Sequence, residues 1–202
     1  MMSGLEGRRI ALSVLDDDAA NPERAAVVRR ALEQAGAKID VLKPGEGSAE
    51  DWHGGRYAAL VAIGGVAGAG PNADPRLVQL TREFLASEKP VAVIGGALEV
   101  IINAGGAAGR TLAASRQLKP ALEAAGGKSA DGPIHADGSL VSAAKTADIE
   151  AFAAEVVRQF AGHLEERAVD EMSEQSFPAS DPPSTSPGSI GPAPERDSET
   201  RP

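Results

Sequence analysis

Few side chains in this sequence have types and spacing that suit chemistry, and most of them fall at the ends of apolar runs. Asp16, Asp17 and Asp18 follow the run Ile10 to Leu15, and three carboxylates at the carboxyl end of a strand suit a hard cation such as Mg²⁺. A solvated acidic loop near a helix N-terminus is the favoured reading, and no metal site is expected there. His135 and Asp137, with Ser115 or Ser142, have the composition of a hydrolytic dyad. No serine falls on a strand-to-helix turn, however, and a single histidine beside a hairpin reads as an exposed edge residue. Gly64, Gly68 and Gly70 echo a dinucleotide loop, but Pro71 and Pro75 prevent a helix directly after it, and the preceding strand is not the first.

The strongest local signal is Pro90-Val91-Ala92-Val93-Ile94-Gly95-Gly96-Ala97-Leu98-Glu99, a strand that stops at two glycines and turns straight into a helix. In an open parallel sheet, ligands bind in the crevice at the carboxyl ends of the strands. A strand-to-helix turn there presents backbone N–H groups that suit an oxyanion, a phosphate or a carboxylate. The plainer alternative is that two glycines merely permit a tight turn.

The elements that must position this turn are legible on both sides of it. Ile10 to Leu15 reads as a buried strand, and Asn21 as an N-cap with Pro22 at the first helical position; Gly36 stops that helix. Lys38 to Leu42, Tyr57 to Ile63 and Val91 to Ile94 read as further strands, short and aliphatic, as strands buried on both faces are. Asp74 and Pro75 open a helix that runs through Leu85, and another lies between Gly96 and Gly105. Thr111 to Ala114 is a further strand candidate, and Leu118 to Ala125 a helix stopped by Gly126 and Gly127. Ile134 to Ala143 reads as a hairpin turning at Asp137-Gly138, followed by a helix from about Ala147 to Glu166 with an apolar stripe through Phe152, Val156 and Phe160. The order predicts a flavodoxin-like α/β domain, with a doubly wound, mainly parallel sheet and helices on both faces.

Composition bounds the function. The chain has 202 residues and a net charge of −9, with no Lys/Arg cluster against that balance, so nucleic acid and anionic membrane are not expected partners. Cysteine is absent, which excludes disulfides and thiolate zinc sites, and the histidines are only His53, His135 and His163. No cofactor is expected. Without an apolar leader or a run long enough to span a bilayer, a cytoplasmic location is expected. Residues 178–202 carry seven of the 14 prolines and many serines, so the sequence divides into a domain over 1–168 and a disordered, acidic, Pro/Ser-rich tail over 169–202.

The segment Pro90 to Gly105 resembles the nucleophile elbow of the ThiJ/PfpI family of the class I glutamine amidotransferase-like superfamily, which reads P-[IV]-A-A-I-C-H-G-P-Q-L-L-x-x-A-G. Gly95 stands where that family has its cysteine, Gly96 where it often has histidine, and Ala97 where it has glycine. The likeness continues through Gly109-Arg110-Thr111-Leu112, Ala125-Gly126, Asp131 and Asp137 to Ser142, and into the closing helix at Asp148 and Phe152. Upstream, Tyr57 to Gly65 is similar to Y-D-A-L-[VI]-[IL]-P-G-G, with Ile63 at the family's proline. Counting back from Ala35-Gly36, the family's acidic partner in the loop after the first strand falls at Asn21.

The resemblance spans roughly Ile10 to Phe160. It implies peptidase, glyoxalase or deglycase chemistry through a thiolate, and this cysteine-less chain lacks the atom that performs that step. The opening strand is also similar to that of the C-terminal domain of large-subunit catalases, which supplies packing instead of catalysis.

No catalytic residue is therefore assigned. The expectation is a non-catalytic protein of stress physiology that binds a small molecule, an anion or a partner in a pocket lined by Asn21, Gly64, Gly65, Gly95, Gly96 and Ala97. The alternatives are a cysteine-independent hydrolase or lyase that uses Asp16, Asp17, Asp18 or Glu99, and a chaperone-like surface. The resemblance also implies a homo-oligomer. Phe177, in an acidic proline-flanked tail segment, has the character of a protein-docking motif, with a solubilising extension as the equal alternative.

Overall fold

The structure, a computed structural model, describes residues 4–15, 21–64 and 74–175. The elements are β1 (Arg9–Val14), α1 (Asn21–Gln34), β2 (Lys38–Leu42), β3 (Ala59–Ile63), α2 (Pro75–Ala86), β4 (Val91–Ile94), α3 (Leu98–Asn103), β5 (Thr111–Leu112), α4 (Lys119–Ala124), β6 (Lys128–Ser129), β7 (Ile134–Asp137), β8 (Leu140–Ala143) and α5 (Ile149–Gln175). Six strands form one sheet in the order β2-β1-β3-β4-β8-β7, parallel except where β7 runs antiparallel to β8. This is the doubly wound arrangement expected from alternating strands and helices.

The central strands are apolar on both faces because both faces are covered. Every residue of β3 and β4 is buried. One face packs Leu60, Ala62, Val91 and Val93 against Leu77, Leu80 and Phe84 of α2 and Val100 and Ile101 of α3. The other packs Ile10, Leu12, Val61 and Ile94 against Val28 and Leu32 of α1 and Phe152, Val156 and Phe160 of α5. The apolar stripe read in the closing helix is thus the part that seats it on the sheet.

Four local expectations are corrected. The third strand begins at Ala59, not Tyr57, because the Tyr57 N–H closes the preceding turn on the Gly54 carbonyl (3.4 Å) instead of joining the ladder. The strand read over Thr111 to Ala114 shortens to two residues and joins the unforeseen β6 in a separate parallel ribbon. Its continuation is diverted because the Ala113 N–H donates to Ser142 Oγ (2.8 Å) instead of a strand carbonyl. The hairpin turns at Gly138-Ser139, one residue later than read, with Asp137 paired to Leu140 and Gly138 at φ +61°. Finally, α5 runs past Glu166 to Gln175, so the boundary read at 168 falls inside a helix, while residues 176–202 lie outside the described residues.

Candidate functional site

The turn after β4 reverses the chain within one residue. Ile94 is still extended (φ −134°, ψ 139°), Gly95 takes φ +65°, and by Leu98 the backbone is helical (φ −57°, ψ −27°). A side chain at φ +65° meets its own backbone, which glycine avoids. The Leu98 N–H closes the turn on the Gly95 and Gly96 carbonyls. This geometry is that of a nucleophile elbow: a strained strand-to-helix turn that lifts one residue to the carboxyl edge of the sheet.

The end of β3 lies directly against this turn. The Gly64 N–H donates to the Ile94 carbonyl (3.1 Å), and a Cβ built on Gly64 would stand 2.4 Å from the Ala97 nitrogen and 2.9 Å from the Gly96 carbonyl carbon. Only a residue without a side chain allows that approach. On the other side of β3, the chain leaves β1 at Leu15, whose N–H donates to the Ile63 carbonyl (2.9 Å). The exits of β1, β3 and β4 are therefore adjacent.

Of the residues expected to line a pocket, Gly64, Gly95 and Ala97 are buried and Gly96 is half-buried, all within this turn and the β3 exit. Asn21 begins α1, but its side chain, together with Gly65 and Asp16 to Asp18, lies outside the described residues. Glu99 is half-buried in the first turn of α3.

The polar residues around the hairpin form a structural tie. Ser142 Oγ accepts from Ala113 N–H (2.8 Å) and donates to the backbone carbonyl of His135 (3.2 Å), not to its ring. The Asp137 carboxylate accepts from Thr111 N–H (2.7 Å) and stands 3.9 Å from Arg110. These bonds fasten β5 to the hairpin. Among the described residues, two buried hydroxyls lack a partner, Ser13 Oγ and Ser115 Oγ. Ser13, wholly buried near the carboxyl end of β1, was not singled out in the sequence, where a lone serine in the run Ile10 to Leu15 was the available signal. Among the described residues no cluster of three or more His, Asp or Glu side chains stands ready for a metal ion, and no helix is long and apolar enough to cross a membrane.

Two concavities of described residues lie away from the turn. A groove of about 500 Å³ runs beside the edge strand β2, between Arg9, Asp40, Trp52 and Tyr57. A cleft of about 340 Å³ opens at the amino end of the sheet.

Fold and turn together define an open, mainly parallel α/β sheet that carries a strand-to-helix elbow at its carboxyl edge. The sequence pattern of the DJ-1/PfpI family matches residues 26–159, and the chain belongs to that family. The ThiJ/PfpI domain protein of Brachyspira murdochii superposes with a TM-score of 0.67 at 19% identity, over 80% of this chain and 98% of that one. A two-domain protein of Anabaena variabilis, with DJ-1/ThiJ/PfpI-like and ferritin-like domains, superposes with a TM-score of 0.66 at 19% identity, over 75% of this chain and 49% of that one. DJ-1 of Schizosaccharomyces pombe gives 0.60 at 17% identity, over 84% and 100%. In sequence, an uncharacterized protein of Archaeoglobus fulgidus is 29% identical over 102 residues, which are 50% of this chain and 61% of that protein's length.

Proposed function

We propose that this protein is a non-catalytic member of its family that binds a small ligand or a partner group at the crevice beside the elbow, in the service of stress physiology. The observation that carries this reading is residue 95. It keeps the buried, left-handed position of an elbow residue, at φ +65°, yet it is a glycine and offers no atom to attack a carbonyl. The acyl and hemithioacetal steps implied by the family resemblance require a thiolate, and the chain has no cysteine.

A thermal-shift screen against metabolites and anions tests this. A ligand at 100 times its Kd adds about 2.7 kcal/mol, enough to raise Tm by several degrees. A hit that is lost on Gly95→Asn, a residue that tolerates the left-handed conformation, supports binding at the elbow. The absence of any shift in a folded protein, or a screen in which every hit is indifferent to Gly95→Asn, removes the reading.

A further inference from the structure

The cleft at the amino end of the sheet lies on the opposite side of the fold from the elbow. It forms where the segment before β1, the turn before β3, the turn before β4 and the stretch of α5 from Leu164 to Ala168 converge. Its walls carry five cationic side chains, Arg8, Arg9, Arg56, Lys89 and Arg167, and no carboxylate, in a chain whose net charge is −9. Two of the five are neutralised from outside the cleft, Arg9 by Asp40 (3.3 Å) and Arg56 by Asp51 (3.2 Å).

The other three form no ion pair among the described residues. Lys89 Nζ donates to the Gly54 and Tyr57 carbonyls (2.8 and 3.0 Å), and Arg167 Nη1 donates to the Ser87 carbonyl (2.6 Å). These neutral acceptors aim the two cations without cancelling their charge. The exposed Arg8 side chain makes neither an ion pair nor a hydrogen bond among the described residues. Burial, and then the neighbouring Arg167, hold Lys89 below the ordinary lysine range, against a weaker attraction from Glu83. Cations gathered in a concave, partly desolvated site whose own walls carry no carboxylate are stabilised by an anion that enters between them.

We propose that this cleft binds a small phosphomonoester, its phosphate held by Arg8, Lys89 and Arg167. Two guanidinium groups offer paired N–H donors to phosphate oxygens, and the remaining ammonium proton of Lys89 offers a third direction. Ala58, Leu164 and Ala168 supply an apolar wall for a short organic substituent, and about 340 Å³ accommodates a phosphate with a few carbon atoms. The ties from α5 to the α2–β4 turn, Arg167 to Ser87 and His163 Nε2 to the Glu88 carbonyl (2.7 Å), preset the back wall.

Calorimetric titration of the full chain with glycerol phosphate and with inorganic phosphate, at constant ionic strength, tests the site. Saturable one-to-one binding is expected, tighter for the ester. Arg8→Ala removes a side chain that forms no ion pair or hydrogen bond among the described residues and weakens binding several-fold; together with Arg167→Ala the loss is about tenfold or more, as expected for charge-assisted hydrogen bonds. Arg158→Ala, on α5 and paired with Glu155, leaves affinity unchanged, as does Gly95→Asn at the elbow. Tm values of each variant separate lost binding from lost folding. The proposal is overturned by no saturation in the millimolar range, by equal binding after loss of both arginines, by an equivalent response to chloride, or by an affinity that follows residue 95.

Discussion

At the scale of single residues, the elbow is specified by what is missing. Gly64 lacks a Cβ because the Ala97 nitrogen occupies that space at 2.4 Å, and backbone cannot move aside as a flexible side chain does. Gly64→Ala is therefore expected to destabilise the protein by about 2–3 kcal/mol in urea unfolding, the cost of overpacking a close approach. Gly162 is the matched contrast: it lies in α5, exposed, at ordinary helical φ, with nothing within 4 Å of a built Cβ. Gly162→Ala is expected to raise stability by ~0.5–1 kcal/mol, because alanine loses less backbone entropy in a helix. If both variants moved stability the same way, the close approach at Gly64 would not be what excludes a side chain. Both glycines are visible in the sequence, but only packing distinguishes them.

At the scale of elements, the start of α2 shows how one cap can organise a loop. Asp74 accepts from Arg76 N–H (2.9 Å) as the N-cap, from Gly45 N–H (2.7 Å) across the loop after β2, and from the Arg76 guanidinium (2.8 Å). Arg76 in turn lies over Trp52, 4.9 Å from the ring, and Trp52 Nε1 donates to the Glu46 carbonyl (3.0 Å). The hydrogen bonds from Arg76, with those from Gly45, draw the Asp74 carboxyl down from its ordinary value to about 2. A carboxyl depressed in the folded state contributes stability that is fully present above about pH 4 and lost as pH falls towards about 2. Asp74→Ala is expected to cost ~1–2 kcal/mol at neutral pH, with the gap from wild type narrowing towards pH 2. Trp52, the sole tryptophan, reports the transition by fluorescence, and a gap constant with pH would show that the cap does not act through its charge. The cap and Pro75 were readable from the sequence. Its bond to Gly45, 29 residues away, was not, because nothing local encodes a loop-to-cap contact.

At the scale of the whole molecule, the buried core of the described residues runs from Leu5 to Leu164, on both faces of a single sheet. Residues 178–202 hold seven prolines and, in Ile190, a single large aliphatic side chain, so removal of residues 176–202 is expected to shift Tm by less than about 2 °C, below the effect of one kcal/mol in a domain of this size. A larger drop in differential scanning calorimetry would mean that the last segment supports the core. The two ends of the sheet also divide the molecule's chemistry, with the side-chain-free elbow at the carboxyl end and the cationic cleft at the amino end. The alternation of short aliphatic runs with capped helices determined the parallel architecture, since strands covered on both faces must be apolar throughout and helices must start and stop at caps and glycines. The motif order determined the family, and the absence of cysteine determined what chemistry is closed to it. What only the tertiary structure decided was pairing at a distance. The register of the hairpin turn, the diversion of β5 by Ser142, the contact of Gly64 with Ala97 and the convergence of Arg8, Lys89 and Arg167 all join residues far apart in the chain. Local propensity carries no information about such meetings, because they are set by how the sheet twists and the helices dock on it.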